Sequence, residues 1–209
     1  MKILVVAATP SELNAIKTGI KSAWIKSNMN IDYLCSWIWC YETISILEQY
    51  LTLHSEPTFI WNIWICWYWN PNNEKVTDPI QVATVMNVHS EKELIIPIFT
   101  QIAQLKNCFS SENIINKKPV FSKKVWTFND EMFFDMECRW IEFVASKHKL
   151  PRLVLKFPFD FIWVGQHLSY KESAHETYEL LSALPYKIYL KKILDWINKQ
   201  EKKTKFTEN

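Results

Sequence analysis

Residues 1–13 read MKILVVAATPSEL. Residues 2–8 (KILVVAA) form a nearly unbroken apolar run, the pattern of a strand covered on both faces in a parallel sheet. Pro10 and Ser11 then open a helix, with Glu12, Leu13, Ile16 and Ile20 at helical spacing. A strand that passes at once into a helix is the mark of an α/β protein. From this start the chain is expected to be a three-layer α/β/α single domain with a mixed, mainly parallel central sheet.

The rest of the sequence extends the pattern. A short strand is predicted around Ile31–Cys35, a turn in CSWIWC (35–40) and a helix in YETISILEQYLTLH (41–54). After Pro57, TFIWNIWIC (58–66) reads as a second buried strand, NPNNE (70–74) as a turn and PIQVATVMNVH (79–89) as a further strand. Residues 100–124, with their Asn, Ser and Lys clusters, read as loop and edge structure. MECRWIEFVASKHK (136–149) predicts a helix ending before Pro151, and RLVLKF (152–157) a buried strand closing at Pro158 and Asp160. Leu180, Leu181, Leu184, Ile188, Ile193, Leu194 and Ile197 mark one amphipathic helix, or two broken at Pro185. The domain is assigned to residues 1–200, and 201–209 (EKKTKFTEN) to a solvated, frayed tail.

Composition narrows the partners. The 209 residues suit one large domain, and 24 basic against 22 acidic residues give a net charge of +2, which argues against nucleic acid or a membrane surface and for a small molecule. Aromatic residues without interleaved Lys or Arg do not make a stacking platform for single strands. Five cysteines form no CxxC pair, which fits a reducing, cytoplasmic setting. The apolar start ends too early for a signal peptide, and FIWNIWICWYW, 11 residues with Asn62 inside it, is too short to span a bilayer. The five histidines show no i, i+4 pair and no grouping with cysteine, so no metal site is expected; without a G-x-G-x-x-G or Walker loop, no nucleotide cofactor is expected either. One count is abnormal: the chain has 2 glycines and 11 tryptophans, where about 7% glycine, roughly 15 residues, is usual.

Three segments together resemble the nucleoside phosphorylase and nucleosidase superfamily, in particular its methylthioadenosine/S-adenosylhomocysteine nucleosidase and futalosine hydrolase branch. MKILVVAATPSEL is similar to the opening strand and helix that carry the water-activating glutamate, placing that role on Glu12. FFDMECRWIEFV resembles the V-E-M-E-A motif, with Met136 and Glu137 as the ribose-contacting pair. LPRLVLKFPFD resembles the strand ending in the base-protonating aspartate, matched by Asp160. The resemblance covers most of the chain, with 100–130 shortened, and implies a homodimer.

Where that family has T-G-x-G, this chain has Ser36-Trp37-Ile38-Trp39; where it has N-x-G-x-A-G, this chain has Asn62-Ile63-Trp64-Ile65-Cys66-Trp67. Tryptophan thus occupies four glycine slots, of which Trp64 and Trp67 fall at the substrate. Such glycines provide positive φ or room for a ligand that no Cβ leaves. The expectation is that UGA codons read as glycine in the source have been translated as tryptophan. Trp140 and Trp163 are weaker candidates, and Trp61 and Trp196 suit apolar positions.

The residue types suit glycosidic cleavage. The bond breaks through an oxocarbenium-like state, so the leaving base needs a proton, the role for Asp160 at a strand's carboxyl end. Glu137 would accept from ribose hydroxyls, Met136 pack on the sugar and Glu12 take the proton of the attacking water. Each residue has a plainer explanation taken singly: a first-turn helix acid for Glu12, an ion pair with Arg139 or Lys147 for Glu137, a turn for Asp160. Two departures stand out. Phe159 replaces the serine that bonds the aspartate in the family, and Lys156 replaces an arginine. The expected reaction is hydrolysis of a purine-type nucleoside. The alternatives are phosphorolysis with phosphate in place of water, disfavoured because Arg139 and Arg152 are the only arginines, and a non-catalytic domain whose pocket is filled by real tryptophans.

Overall fold

The structure is a computed structural model and describes residues 2–23, 30–37, 40–54, 57, 59–70, 72, 74–88, 93–111, 131–161 and 170–207. The first strand, β1 (Lys2–Ala7), is fully buried from Ile3 to Ala7. It passes through Ala8 and Thr9 into α1 (Pro10–Ser22). Thr9 is the N-cap, Pro10 supplies the preset φ of the first turn, and Glu12 closes a capping box. β2 (Asn30–Cys35) pairs parallel to β1. Trp37 follows with φ 59°, one of two non-glycine residues in the left-handed region among those described. The other is Lys149 (φ 55°), just past a helix that ends at Lys147.

Helix α2 (Cys40–Leu53) leads to β3 (Phe59–Trp69), an 11-residue strand at the centre of the sheet. The remaining elements are β4 (Ile80–Asn87), β5 (Glu93–Ile95), β6 (Gln104–Ser110), β7 (Met132–Asp135), α3 (Cys138–Lys147), β8 (Arg152–Phe161), α4 (Tyr170–Ser182) and α5 (Tyr186–Thr207). The eight strands among the described residues form one mixed sheet, ordered β2-β1-β3-β7-β6-β4-β5, with β8 paired to β3 and β4. Pairings of β1 with β2 and β3, of β3 with β8, and of β6 with β4 and β7 are parallel; β3–β7, β4–β5 and β4–β8 are antiparallel. Helix α1 packs on α4 and α5, and α2 on α3, so the expected α/β/α domain with a mainly parallel mixed sheet is what the chain forms.

Two details differ from expectation. Residues 104–110 are not loop: β6 is an interior strand between β4 and β7. Its first half, Gln104–Asn107, is largely exposed and polar, and only Cys108–Ser110 are buried, so it carries too short an apolar signal to be read locally. The stretch 112–124 lies outside the described residues. Second, β8 does not stop at Pro158 but runs through Asp160 to Phe161. Its register against β3 slips between Cys66 and Trp67, so that Cys66 faces Pro158 and Trp67 faces Asp160. That irregularity is where a strand accommodates a proline that cannot donate to the ladder.

The tail takes the two-helix form, separated at Pro185, and the α5 backbone continues helical to Thr207. Gly19 lets α1 meet α5: a Cβ there would lie 2.2 Å from Tyr186 Cε2 and 2.7 Å from the Ser182 carbonyl oxygen. Trp196 meets Phe59 and Phe99 edge-on, with centroids 5.5 and 5.3 Å apart, and Trp61 is enclosed by Tyr186 and Tyr189. No helix among the described residues is long and apolar enough to cross a membrane.

Candidate active site

The length of β3 creates the site. On one edge it is paired with β8 from Ile60 to Tyr68. On the other, β1 pairs with Phe59–Asn62 and β7 with Trp67–Trp69, so among the described residues no strand pairs with residues 63–65 along that edge. Because β1 runs parallel and β7 antiparallel to β3, the carboxyl ends of both strands point into this gap from opposite directions. Glu12 lies in the first turn after β1, and Met136 and Glu137 immediately follow β7. Trp64 lies in the gap, and its register partner across the strand is Lys156.

Buried ionisable groups meet there. Glu12, Asp135, Glu137 and Lys156 are 7%, 2%, 3% and 0% exposed. Lys156 Nζ lies 2.6 Å from Asp135 Oδ2 and 3.5 Å from the centroid of the Trp64 ring, so it is held between a carboxylate and an aromatic face. Asp135 Oδ2 also accepts from the Cys138 amide at 2.9 Å, fastening the first turn of α3. Glu12 Oε2 accepts from both the Thr9 amide and the Thr9 hydroxyl at 2.8 Å.

The charges shape one another. Burial pushes the Glu137 carboxyl well above the ordinary carboxylate range, and the charges of Asp135 and Glu12 push it further; Lys156 and the Met136 amide pull the other way. Burial also raises Glu12, against the two Thr9 hydrogen bonds and the charge of Lys156. For Lys156, burial opposes the ammonium, but Asp135, Cys138 and Glu137 outweigh it and raise the amine above its usual value. Both glutamates therefore hold protons more readily than exposed ones do.

Of the residues singled out in the sequence, Glu12, Met136, Glu137 and Trp64 come to this gap, with Met136 buried at 3% exposure. Trp67 packs elsewhere, beside Met86, Phe109, Met132 and Phe134: three residues beyond Trp64 on an alternating strand, it does not share its face. Asp160 is the penultimate residue of β8, four beyond Lys156; its side chain lies outside the described residues, as do Ile38, Trp39 and Trp163. Sequence reasoning misses Asp135 as a site residue and gives Lys156 only as a departure from the family pattern. A lone lysine inside LVLKFP was the available signal, since a charge buried in a strand demands a partner. Cys108, Asp135 and Cys138 bring potential metal donors within 4.8 Å of one another, but the Lys156 ammonium already occupies Asp135 and its charge opposes a cation.

Several solved structures share this fold. The chain is similar to a variant of the MTAN of Chlamydia trachomatis bound to MTA (18% identity, TM-score 0.65, covering 92% of this chain and 99% of that one). It is similar to a futalosine hydrolase mutant of Helicobacter pylori (10% identity, TM-score 0.70, 91% and 99% covered). The fold is shared with nucleosidases. A third such structure is the H. pylori 5'-methylthioadenosine/S-adenosyl homocysteine nucleosidase with a pyrrolopyrimidine-bearing pyrrolidinol (13% identity, TM-score 0.68, 93% and 98% covered). No family profile and no curated protein matches the sequence. At these identities the likeness is one of fold. In this chain, that shared fold places two buried glutamates and a buried lysine at the break in the central sheet.

Proposed function

We propose that the protein hydrolyses the N-glycosidic bond of a purine-type nucleoside of the methylthioadenosine, adenosylhomocysteine or futalosine class. The observation that carries this reading is the convergence of Glu12 and Glu137, from the carboxyl ends of two strands, on the edge of β3 between its pairings with β1 and β7. Glu12 takes a proton from the attacking water. Glu137 orients the ribose hydroxyls against Met136, and Asp160, at the end of β8, gives the leaving base its proton. Burial pushes the Glu137 carboxyl above the ordinary carboxylate range, and a carboxyl offers acceptor oxygens to a sugar diol in either protonation state. Water is the co-substrate, and a cytoplasmic homodimer belongs to the same reading.

The reading carries a condition: residues 37, 39, 64 and 67 are glycine in the protein the source makes. Its support is the left-handed backbone at Trp37, a conformation glycine adopts freely, and the Trp64 indole over the Lys156 ammonium among the proposed catalytic groups. That same burial of Trp64 favours a second reading for the chain as written, a domain with a filled, non-catalytic pocket.

One experiment separates these. Protein with glycine at the four positions, and protein as written, are incubated with methylthioadenosine, adenosine, inosine or futalosine, with and without phosphate. Base release by the glycine form independent of phosphate is the expected result. Release that needs phosphate would assign phosphorolysis, and no release from the glycine form would leave the filled domain. UGG codons at the four positions would defeat the recoding.

A further inference from the structure

Among the described residues, the site contains three buried carboxyl groups, Glu12, Asp135 and Glu137, and one buried ammonium, Lys156. How that single positive charge is shared decides what the other groups can do. Lys156 is not placed midway among them. Its Nζ is 2.6 Å from Asp135 Oδ2 and rests on the Trp64 ring. The same Asp135 oxygen takes the Cys138 amide, so one carboxylate ties β8 to the start of α3. Asp135 is itself fixed by register, since its backbone pairs with Ser110 of β6 and its carbonyl accepts from the Ser111 amide at 2.9 Å. Glu137, two residues on, is the N-cap of α3 and makes no capping side-chain bond, so its carboxyl is not spent on the helix.

We propose that Asp135 is a positioning residue: by clamping Lys156 and the first turn of α3 it presents Glu137 to the gap opposite Glu12 and holds the ammonium on its own carboxylate, so that the lysine's charge reaches both glutamates only in part. Asp135 touches neither sugar nor base in this scheme. It sets the protonation of the two residues proposed to do so, and in that respect the inference rests on the nucleosidase reading. The groups facing the two glutamates are Thr9 at the cap of α1, Asp135 on β7, Lys156 on β8 and the Met136 amide; Cys35 on β2 feels Glu12, and Cys108 on β6 and Cys138 on α3 lie against Asp135. All the acids around Glu137 raise it and only Lys156 and the amide lower it. Freeing Lys156 from Asp135 would therefore lower Glu12 and Glu137 together.

The test is a carboxyl 13C NMR titration of the full-length protein labelled at glutamate, with Glu12 and Glu137 assigned through E12Q and E137Q. D135N keeps an acceptor for the Cys138 amide and removes the charge. The expected result is a fall of about one pH unit or more in both midpoints, while D135E leaves them near those of the parent. A loss of thermal stability in D135N with unmoved midpoints would reduce Asp135 to a structural part and overturn the inference. Should D135N not fold, the 15N signal of the Lys156 ammonium in the parent replaces it: the signal is expected to track both glutamate titrations, and one indifferent to them would overturn the inference equally. Activity is measured separately. Midpoints that move in a protein releasing no base would defeat the nucleosidase reading and leave this inference standing.

Discussion

Substitution of Trp37 by glycine and by alanine tests the glycine reading where the backbone itself gives evidence. Both variants remove the same indole, which is 50% exposed. Half of an aromatic side chain's roughly 200 Å², at about 25 cal/mol/Å², loses each at most about 2.5 kcal/mol. The two differ in what remains. At φ 59° an L residue stays strained by about 1–2 kcal/mol, whereas glycine adopts that conformation freely and gives back only about 0.4–1 kcal/mol through its looser unfolded chain. The contacts held through the backbone, the Thr43 and Ser36 hydroxyls to the Trp37 carbonyl, each at 3.4 Å, are common to both. W37G should therefore exceed W37A by about 1 kcal/mol, seen in urea denaturation as a higher midpoint with unchanged slope and in heating as about 2–4 °C. W37A equal to or more stable than W37G would refute the claim that this turn is built for glycine.

Three further outcomes follow from the packing and the buried charges. Gly19→Ala should lose about 1–3 kcal/mol by overpacking against Tyr186 and Ser182, outweighing the better helix propensity of alanine; a higher Tm would show that α1 and α5 do not approach so closely. Arg152 donates through Nε to Glu142 at 2.8 Å and through Nη1 to the Leu150 carbonyl at 3.1 Å, with Nη2 on the second Glu142 oxygen, all buried. E142A should thus lose about 3–5 kcal/mol by leaving a buried cation unpaired, and E142L with R152M should recover most of it. Glu137 titrates higher in the folded protein than in the unfolded chain, so the stability of its neutral form is fully present below the unfolded value, near 4.3, and is lost as pH rises through the folded one. E137Q should remove that loss: its Tm advantage over the parent should grow from pH 4 to pH 8, and an advantage that shrinks would contradict the burial of that carboxyl.

The parts of the fold legible in the sequence are those whose signal is local. Ile3–Ala8 is apolar without interruption because β1 is covered on both faces, and Thr9-Pro10-Ser11-Glu12 writes out a helix start in four residues. Strands β6 and β7 were not legible as such. Gln104–Asn107 is polar, Met132–Asp135 is four residues long, and each strand is defined by the neighbour it pairs with rather than by its own period. The candidate site divides the same way. Glu12 and the Met136–Glu137 pair stand beside recognisable turns, whereas the partnership of Lys156 with Asp135 joins residues 21 apart in sequence and exists only once the sheet has formed. The break in pairing along residues 63–65, among the described residues, is likewise a property of three strands together. No stretch of sequence contains it.

The capping box at the start of α1 has a consequence for turnover. The oxygen of Glu12 that anchors the Thr9 amide and hydroxyl belongs to the carboxylate that receives the water's proton in the proposed reaction. Each catalytic cycle would then neutralise an acceptor bound to the end of a helix and restore it when the proton leaves, loosening and tightening the junction of β1 and α1 in step with chemistry. Helix anchoring and proton uptake draw on one charge, so a substitution at residue 12 would register in a melting curve as well as in a rate.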